Sequence, residues 1–157
     1  MFDKPIFLGS DHGGFCLKES IKLYLQSQKS EVYDFGTFSQ NSVNYVEYAS
    51  KVAKEVSNHD SFGIICCSSG IGVSIVANKF PGVRAALCTS NFHAEFSRRH
   101  NNANVICFGQ KVTNDTEAIE MVNIFLSTEF DGGRHELRVD SIMKIEENNF
   151  KILKEKI

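Results

Sequence analysis

Residues 62–74 read Phe-Gly-Ile-Ile-Cys-Cys-Ser-Ser-Gly-Ile-Gly-Val-Ser, and this stretch decides the fold. Its first six residues suit a strand of a parallel sheet that is buried on both faces. Gly70 and Gly72 follow in a turn of small residues, where backbone N–H groups can surround an anion at the start of a helix. The stretch predicts strand, loop and helix start, with a thiol beside an anion-binding loop. A tight turn without a ligand is the structural alternative for the two glycines.

The spacing of the loop residues argues against nucleotide binding. After Gly70 and Gly72 come Val73, Ser74 and Ile75, so the third glycine of the dinucleotide fingerprint and the Lys-Ser/Thr of a P-loop are missing. The adjacent residues Cys66 and Cys67 point to opposite faces of an extended strand and cannot form one site together. We therefore assign Cys66 to the core and Cys67, next to the loop, to the open end of the strand.

Composition limits the classes of protein. With 157 residues the chain is predicted to form a single domain, residues 1–157, with a core that needs no disulfide or structural metal. A net charge of -2 gives no general attraction to nucleic acid or to acidic membranes, so neither is an expected partner. Five cysteines without CxxC or Cys/His ligand spacing indicate reduced thiols and no metal site. The N-terminus lacks a long apolar region, and we expect a cytoplasmic protein.

Strand-like and helix-like segments alternate along the chain. This order predicts an α/β fold, Rossmann-like, with three α/β/α layers around a five-stranded parallel sheet. The strands are predicted at residues 5–10, 31–36, 62–67, 83–89 and 104–109, and the helices at 15–25, 46–56, 71–79, 92–99 and 118–126.

Ligands of such sheets bind beyond the carboxyl ends of the strands, and polar clusters follow several of the predicted strands. These clusters, which could share one crevice, are residues 10–14, 67–70, 98–101 and 109–111. Asp11 and His12 could instead cap the first helix, and residues 98–101 could be a solvated helix end. Arg134 and Arg138 are four apart, hence on one helical face, where they suit a phosphate or are simply exposed.

Five blocks of sequence resemble the signature blocks of type B ribose-5-phosphate isomerase, in the same order and with similar spacing. They are Ser10-Asp11-His12-Gly13-Gly14, Cys67-Ser68-Ser69-Gly70-Ile71-Gly72-Val73-Ser74, Asn78-Lys79-Phe80-Pro81-Gly82-Val83-Arg84-Ala85, Ser97-Arg98-Arg99-His100-Asn101 and Gly132-Gly133-Arg134-His135-Glu136-Leu137-Arg138. The resemblance implies a cofactor-free aldose–ketose isomerase that interconverts ribose 5-phosphate and ribulose 5-phosphate in the non-oxidative pentose phosphate pathway. The same family includes allose-6-phosphate and galactose-6-phosphate isomerases, so a 6-phosphohexose is the alternative substrate.

The resemblance also implies roles for individual residues. Cys67 matches the base that moves a proton between adjacent carbons, and His100 matches the acid that opens the sugar ring. The loop from Ser68 through Ser69, Gly70 and Ile71 to Gly72 matches an anion hole for the enediolate. Asp11, His12 and Asn101 match substrate contacts, and Lys111, Arg134 and Arg138 match phosphate ligands. In the family, the arginine clamp comes from a neighbouring subunit, which implies a homodimer or a dimer of dimers with a shared active site.

Several positions depart from the family pattern, among them Ser69, which keeps the hydroxyl of a common threonine. Val73 stands where some members have a glutamate base, which leaves Cys67 as the base in the loop. Ser68 adds bulk where glycine is common, and Lys111 keeps the charge of an arginine without its bidentate geometry. The segment Asn44-Tyr45-Val46 replaces Asp-Tyr-Pro, with Tyr45 retained near the sugar.

Two functions from other classes remain open at the level of sequence. A phosphosugar-binding module without catalysis would reuse the fold, although Cys67 and His100 argue against it. A nucleotide-binding regulator would need the missing glycine and an acidic residue suitably placed after Gly72.

Overall fold

A computed structural model describes residues 2–155 and places five strands in one parallel sheet. The strand order is β2-β1-β3-β5-β4, so the decisive strand β3 lies at the centre. The strands are β1 (Ile6–Ser10), β2 (Val32–Asp34), β3 (Phe62–Cys67), β4 (Ala85–Leu87) and β5 (Val105–Gly109).

Six helices connect and cover the strands. They are α1 (Phe15–Ser27), α2 (Tyr45–Asn58), α3 (Ile71–Ala77), α4 (Asn91–Asn101), α5 (Asp115–Ser127) and α6 (Arg134–Glu155), and a short 3-10 turn (His12–Gly14) precedes α1. Polar side chains satisfy free backbone N–H groups at several helix starts. Asn114, for example, forms a capping box with Glu117 at the start of α5.

The core is divided by the sheet into two apolar layers. Alternate residues of β3 point to opposite sides, so Ile64 and Cys66 pack with α1, α4 and α5, whereas Ile65 and Cys67 pack with α2 and α3. This arrangement confirms the predicted three-layer α/β/α class and the opposite orientation of the two cysteines.

The predicted elements agree with the structure in type and differ mainly at their ends. β3 has the predicted bounds, whereas β2 and β4 are three residues each and therefore shorter than predicted. The helix α6 was not among the predicted helices, although its first turn carries the arginine pair. Among residues 2–155, no helix has the length and apolar character required to cross a bilayer.

Strand direction places the two ends of each helix at opposite edges of the sheet. Ser10 pairs with Cys66, and Cys67 with Gly109, so the loops after β1, β3 and β5 meet at the carboxyl edge. α4 ends at Asn101 and β5 starts at Val105, so the end of α4 lies at the amino edge. This geometry determines which predicted site residues can meet within one chain.

Candidate active site

The Cys67 side chain lies at the carboxyl end of the central strand. Only 6% of the residue is exposed, and its sulfur accepts a hydrogen bond from the Gly70 N–H at 3.0 Å. An N–H group donates a stronger hydrogen bond to a negatively charged sulfur than to a neutral one. Cys66, one residue earlier, is fully buried on the other face, and burial raises the pKa of its thiol far above the usual value. The two thiols therefore differ in both access and chemistry.

The return of the loop to Cys67 depends on glycine at position 70. Gly70 has a φ of 78°, and a Cβ there would lie 2.4 Å from the Leu87 side chain and 2.9 Å from the Phe108 carbonyl carbon. The next amide, of Ile71, donates to Ser69 Oγ at 3.3 Å. The Ile71 N–H, one of the donors of the predicted anion hole, is thus hydrogen-bonded within the loop in this structure.

Asp11 and His12 reach the same edge from the loop after β1. Asp11 is buried, and its Oδ1 accepts from the Gly14 N–H at 3.0 Å, so it caps the 3-10 turn that precedes α1 and not α1 itself. His12 Nδ1 accepts from the Val43 N–H at 3.2 Å. A Cβ on Gly13 would lie 2.1 Å from Ser68 Oγ, so the loops after β1 and β3 are in direct contact. The structure therefore brings Asp11, His12 and the Cys67 loop together.

The start of α2 covers this edge. A Cβ on Gly72 would lie within 2.8–3.2 Å of ring atoms and the hydroxyl of Tyr45, so the half-exposed ring rests against Gly72. Asn44 caps α2 by accepting from the Val46 N–H at 3.0 Å, the role an aspartate would also fill. Val73 is fully buried among core residues and cannot act as a base.

Lys111 is the one predicted phosphate ligand on the Cys67 side of the sheet among the described residues. Its backbone N–H donates to the Ser68 carbonyl at 3.0 Å, and that of Gln110 donates to the Cys67 carbonyl at 2.8 Å. The Gln110 side chain accepts from the Leu17 N–H at 3.0 Å and so ties α1 to the same loop. The Lys111 side chain is exposed beside these contacts.

His100 and Asn101 lie at the opposite edge. They form the end of α4, and the Arg98 guanidinium in the same turn lies 5.0 Å from the ring centre of Phe62, the first residue of β3. A strand of six residues spans about 17 Å. The expectation that residues 98–101 share a crevice with Cys67 is therefore wrong within a single chain, because a helix that returns to the next strand ends at the amino edge.

Arg98 and Arg99 have structural contacts. Arg98 is buried, donates to the Ala103 carbonyl at 2.5 Å and to the Thr128 carbonyl at 3.2 Å, and packs on Phe62. Arg99 pairs with Asp131 at 3.1 Å and with Glu95 at 3.0 Å. The guanidinium groups of Arg98 and Arg99 thus both make contacts within the chain.

Arg134 and Arg138 lie close to His100, not to Cys67. Both are exposed on the first turns of α6, and His135 between them stacks its ring on that of His100, with 4.0 Å between centroids and an angle of 8°. The structure thus groups four predicted site residues at the amino edge, separate from the thiol loop (residues 67–72). This histidine-arginine cluster contains His100, Asn101, Arg134 and Arg138.

Comparison with known proteins identifies the family of this chain. The model of the Ribose/Galactose Isomerase family matches residues 6–142. The chain belongs to the ribose/galactose isomerase family. It is 42% identical over 145 residues to ribose-5-phosphate isomerase B of Escherichia coli K12, which covers 92% of this chain and 97% of the relative.

Solved structures of members of this family have the same fold. Ribose-5-phosphate isomerase B of Clostridium thermocellum superimposes with a TM-score of 0.88 at 44% identity, over 92% of this chain and 99% of that one. The Mycoplasma genitalium enzyme, solved with bound ribulose 5-phosphate, gives a TM-score of 0.89 at 37% identity, over 94% and 99% of the two chains. The chain is an isomerase of this family.

Two members of the isomerase's histidine-arginine cluster were missed by sequence reasoning. Asp131 Oδ2 lies 3.9 Å from His100 Nε2, and His135 lies in contact with the His100 ring. His135 lies within residues 132–138, one of the blocks that resemble the family, and this position could have indicated a role in the site. Nothing in the sequence marks Asp131 as a neighbour of His100.

The ligand types of His100, Asp131 and His135 would suit a cation, and their ligand atoms lie within 4.8 Å of one another. The surrounding charge opposes that use. Desolvation lowers the pKa of His135, and the positive charges of His100, Arg134 and Arg138 lower it further. With Arg99 already on Asp131, this surface of the isomerase favours an anion.

Proposed function

We propose that this isomerase interconverts ribose 5-phosphate and ribulose 5-phosphate, with Cys67 as the base and His100 as the ring-opening acid. The position of Cys67 at the end of the central strand, with the Gly70 N–H on its sulfur, carries the proposal. Relatives described as ribose-5-phosphate isomerase B, covered over nearly their whole length, support the choice of pentose. The reaction belongs among the interconversions of pentose phosphates.

The chemistry is a proton transfer with no net oxidation. The Cys67 thiolate removes the proton from C2 of the open-chain aldose, which gives an enediolate. Return of that proton to C1, with transfer of the O2 hydroxyl proton to O1, yields the ketose. Donors in the loop 68–72 would stabilise the negative charge that develops on oxygen.

We infer that the two proposed catalytic groups come from different subunits. Cys67 and the end of α4 lie at opposite ends of β3, a separation of about 17 Å that a pentose phosphate does not bridge. A two-fold dimer in which the amino edge of one subunit faces the carboxyl edge of its partner would complete two equivalent sites. Each site would take Cys67, Asp11 and His12 from one chain.

The other chain would supply His100, Asn101 and the arginine clamp. Arg134 and Arg138 are exposed and adjacent to His100, so the acid and the clamp would be donated together. Lys111 would add a charge from the Cys67 side, which places positive groups of both subunits around the phosphate. This arrangement extends the shared clamp implied by the resemblance to include His100.

An assay of the purified protein tests the proposed substrate. Ribose 5-phosphate, allose 6-phosphate and galactose 6-phosphate are compared at equal concentrations, with Cys67→Ala measured beside each. We expect kcat/KM to be highest for ribose 5-phosphate and to depend on Cys67. A preference for either hexose phosphate would assign the chain to the other branch of its family, and turnover independent of Cys67 would overturn the mechanism.

A further inference from the structure

The backbone of His12 is held rigidly at the carboxyl edge. Asp11 caps the 3-10 turn His12–Gly14, with its Oδ1 3.0 Å from the Gly14 nitrogen, and the Asp11 N–H donates to the Cys66 carbonyl at 3.3 Å. Gly13 packs directly against Ser68. These contacts fix the position of the His12 backbone. The hydrogen bonds of the imidazole ring determine which ring nitrogen carries the proton.

One ring nitrogen of His12 faces a group that can only donate. The Val43 N–H lies 3.2 Å from His12 Nδ1, and a backbone amide has no lone pair to offer in return. Nδ1 must therefore carry the lone pair. In the neutral ring the single N–H is then on Nε2, which makes that nitrogen a hydrogen-bond donor.

The Val43 amide is itself fixed by the start of α2. Asn44, the next residue, has extended geometry with a φ of -79° and a ψ of 114°, and its side chain caps the helix through the Val46 N–H. Tyr45 then packs its ring on Gly72 of α3. The contact between Val43 and His12 is thus built into the junction of three elements that surround Cys67.

We propose that the Val43 N–H is a positioning group that holds His12 as the Nε2–H tautomer, so that His12 donates a hydrogen bond to an anionic oxygen of the substrate. Only the identity of that substrate rests on the proposed function. His12 is then a binding donor and not a second base, which leaves proton abstraction to Cys67. Asn44 departs from the family pattern, but the contact between Val43 and His12 is preserved, because asparagine caps the helix as aspartate would.

Nitrogen-15 NMR of the histidine rings tests the tautomer without any turnover. In mildly alkaline buffer, the His12 signals, assigned by their loss in His12→Gln, should show a protonated Nε2 and a bare Nδ1. Addition of ribose 5-phosphate should shift the Nε2–H signal more than the Nδ1 signal. A proton on Nδ1, or equal populations of the two tautomers, would overturn the proposal. The wild-type result alone decides this, whether or not the protein isomerises pentose phosphates.

Two pairs of variants connect the tautomer to substrate binding. Val43→Pro removes the amide proton, whereas Val43→Ala shortens the side chain and keeps it. His12→Gln offers a terminal amide N–H near the position of Nε2, whereas His12→Asn reaches only as far as Nδ1.

We expect Val43→Pro to show mixed tautomers and a KM about threefold to tenfold above that of Val43→Ala, as for loss of one aligned hydrogen bond, with a smaller change in kcat. His12→Gln should likewise have the lower KM of its pair. Equal KM values within either pair would contradict the proposal. Correct tautomers without ribose 5-phosphate isomerase activity would refute the proposed function alone.

Discussion

The His100 and His135 rings stack at a centroid distance of 4.0 Å and thereby join the last turn of α4 to the first turn of α6. Phe96 meets the edge of the same His100 ring at 4.8 Å, and the Asp131 carboxylate lies 3.9 Å from its Nε2. His100 is therefore held on three sides. Because α6 also carries Arg134 and Arg138, the proposed acid and the proposed clamp form one unit.

The low pKa of His135 suits this stack. Desolvation and the charges of His100, Arg134 and Arg138 all disfavour a proton on His135, so it stays neutral where an ordinary histidine begins to titrate. A neutral ring can lie face to face with His100 without adding a second positive charge beside it. The proposed acid His100 therefore faces an uncharged ring in a fixed position.

The first prediction separates the two adjacent thiols. Cys67→Ala should lower kcat by about 100-fold to 10,000-fold, the usual contribution of a general base, with little change in the binding of ribulose 5-phosphate. Cys66→Ala should keep kcat within about threefold and lower the free energy of unfolding by about 1 kcal/mol, because Cys66 is fully buried. Steady-state kinetics and urea unfolding measure both effects. Similar kcat values for the two variants would refute the assignment of Cys67.

The second prediction concerns ring opening by His100. Ribose 5-phosphate closes to a furanose, whereas ribulose 5-phosphate cannot, because the only hydroxyl that could close the ring carries the phosphate. His100→Ala should therefore lower kcat more for the aldose than for the ketose. The comparison is made in kcat at saturation, since the equilibrium constant fixes the ratio of kcat/KM in the two directions. An equal loss of kcat in both directions would give His100 another role.

The sequence predicts the fold of this protein more completely than it predicts the arrangement of the candidate active site. Buried apolar strands separated by amphipathic helices have few ways to pack, so the three layers and the bounds of β3 follow from pattern alone. The helix α6 was not predicted because its polar and apolar residues are mixed and form no clear apolar stripe. Which of its residues face the protein becomes evident only from the surface that it covers. Its contact with α4 through His135 is tertiary information.

The location of His100 shows why the arrangement of the site could not be predicted completely from the sequence. A sequence reveals which residues follow a strand, but whether they stay at that edge depends on how far the intervening helix returns. α4 runs from Asn91 to Asn101 and carries His100 across the full depth of the sheet. Asp11 and Ser68, each one residue after a strand, had no such distance to cover and lie where the sequence predicted.

The third prediction concerns a buried charge network at the edge of the sheet. Lys18 is fully buried, and its Nζ lies 2.9 Å and 2.8 Å from the two carboxylate oxygens of Asp34, while Lys22 reaches the same group at 2.8 Å. Burial alone would raise the pKa of Asp34, but hydrogen bonds from both lysines and from the Gly36 backbone lower it below the usual value.

A lowered pKa in the folded state stabilises the fold above the unfolded-state pKa, and this stability is lost as the pH falls through the folded-state pKa. The free energy of unfolding should thus decline below about pH 4. Asp34→Asn leaves the buried Lys18 with Glu19 as its one remaining anion among the described residues, at 2.8 Å, and should cost about 2 kcal/mol at neutral pH. The control Glu47→Gln, in the exposed pair with Lys51, should cost about 0.5 kcal/mol or less. Equal costs in urea unfolding would show that the network contributes no more than a surface pair.

The last prediction concerns the shared site. Cys67→Ala and Arg138→Ala homodimers should each be nearly inactive, but a mixture allowed to exchange subunits should recover activity. In a hybrid dimer one site combines the intact thiol loop of one chain with the intact clamp of the other, while the second site carries both lesions. With half of the dimers hybrid and one of their two sites intact, recovery should approach about a quarter of wild-type activity.

A second mixture tests whether His100 and the clamp are donated together. In a hybrid of His100→Ala and Arg138→Ala, each site receives its acid and its clamp from the same subunit, so each site carries one lesion and activity should not recover. Mass spectrometry of differently tagged chains verifies that hybrids form in both mixtures. Recovery in the second mixture would mean that His100 and Arg138 serve different sites. No recovery in the first would mean that each chain completes its own site, despite the length of β3 that separates Cys67 from the end of α4.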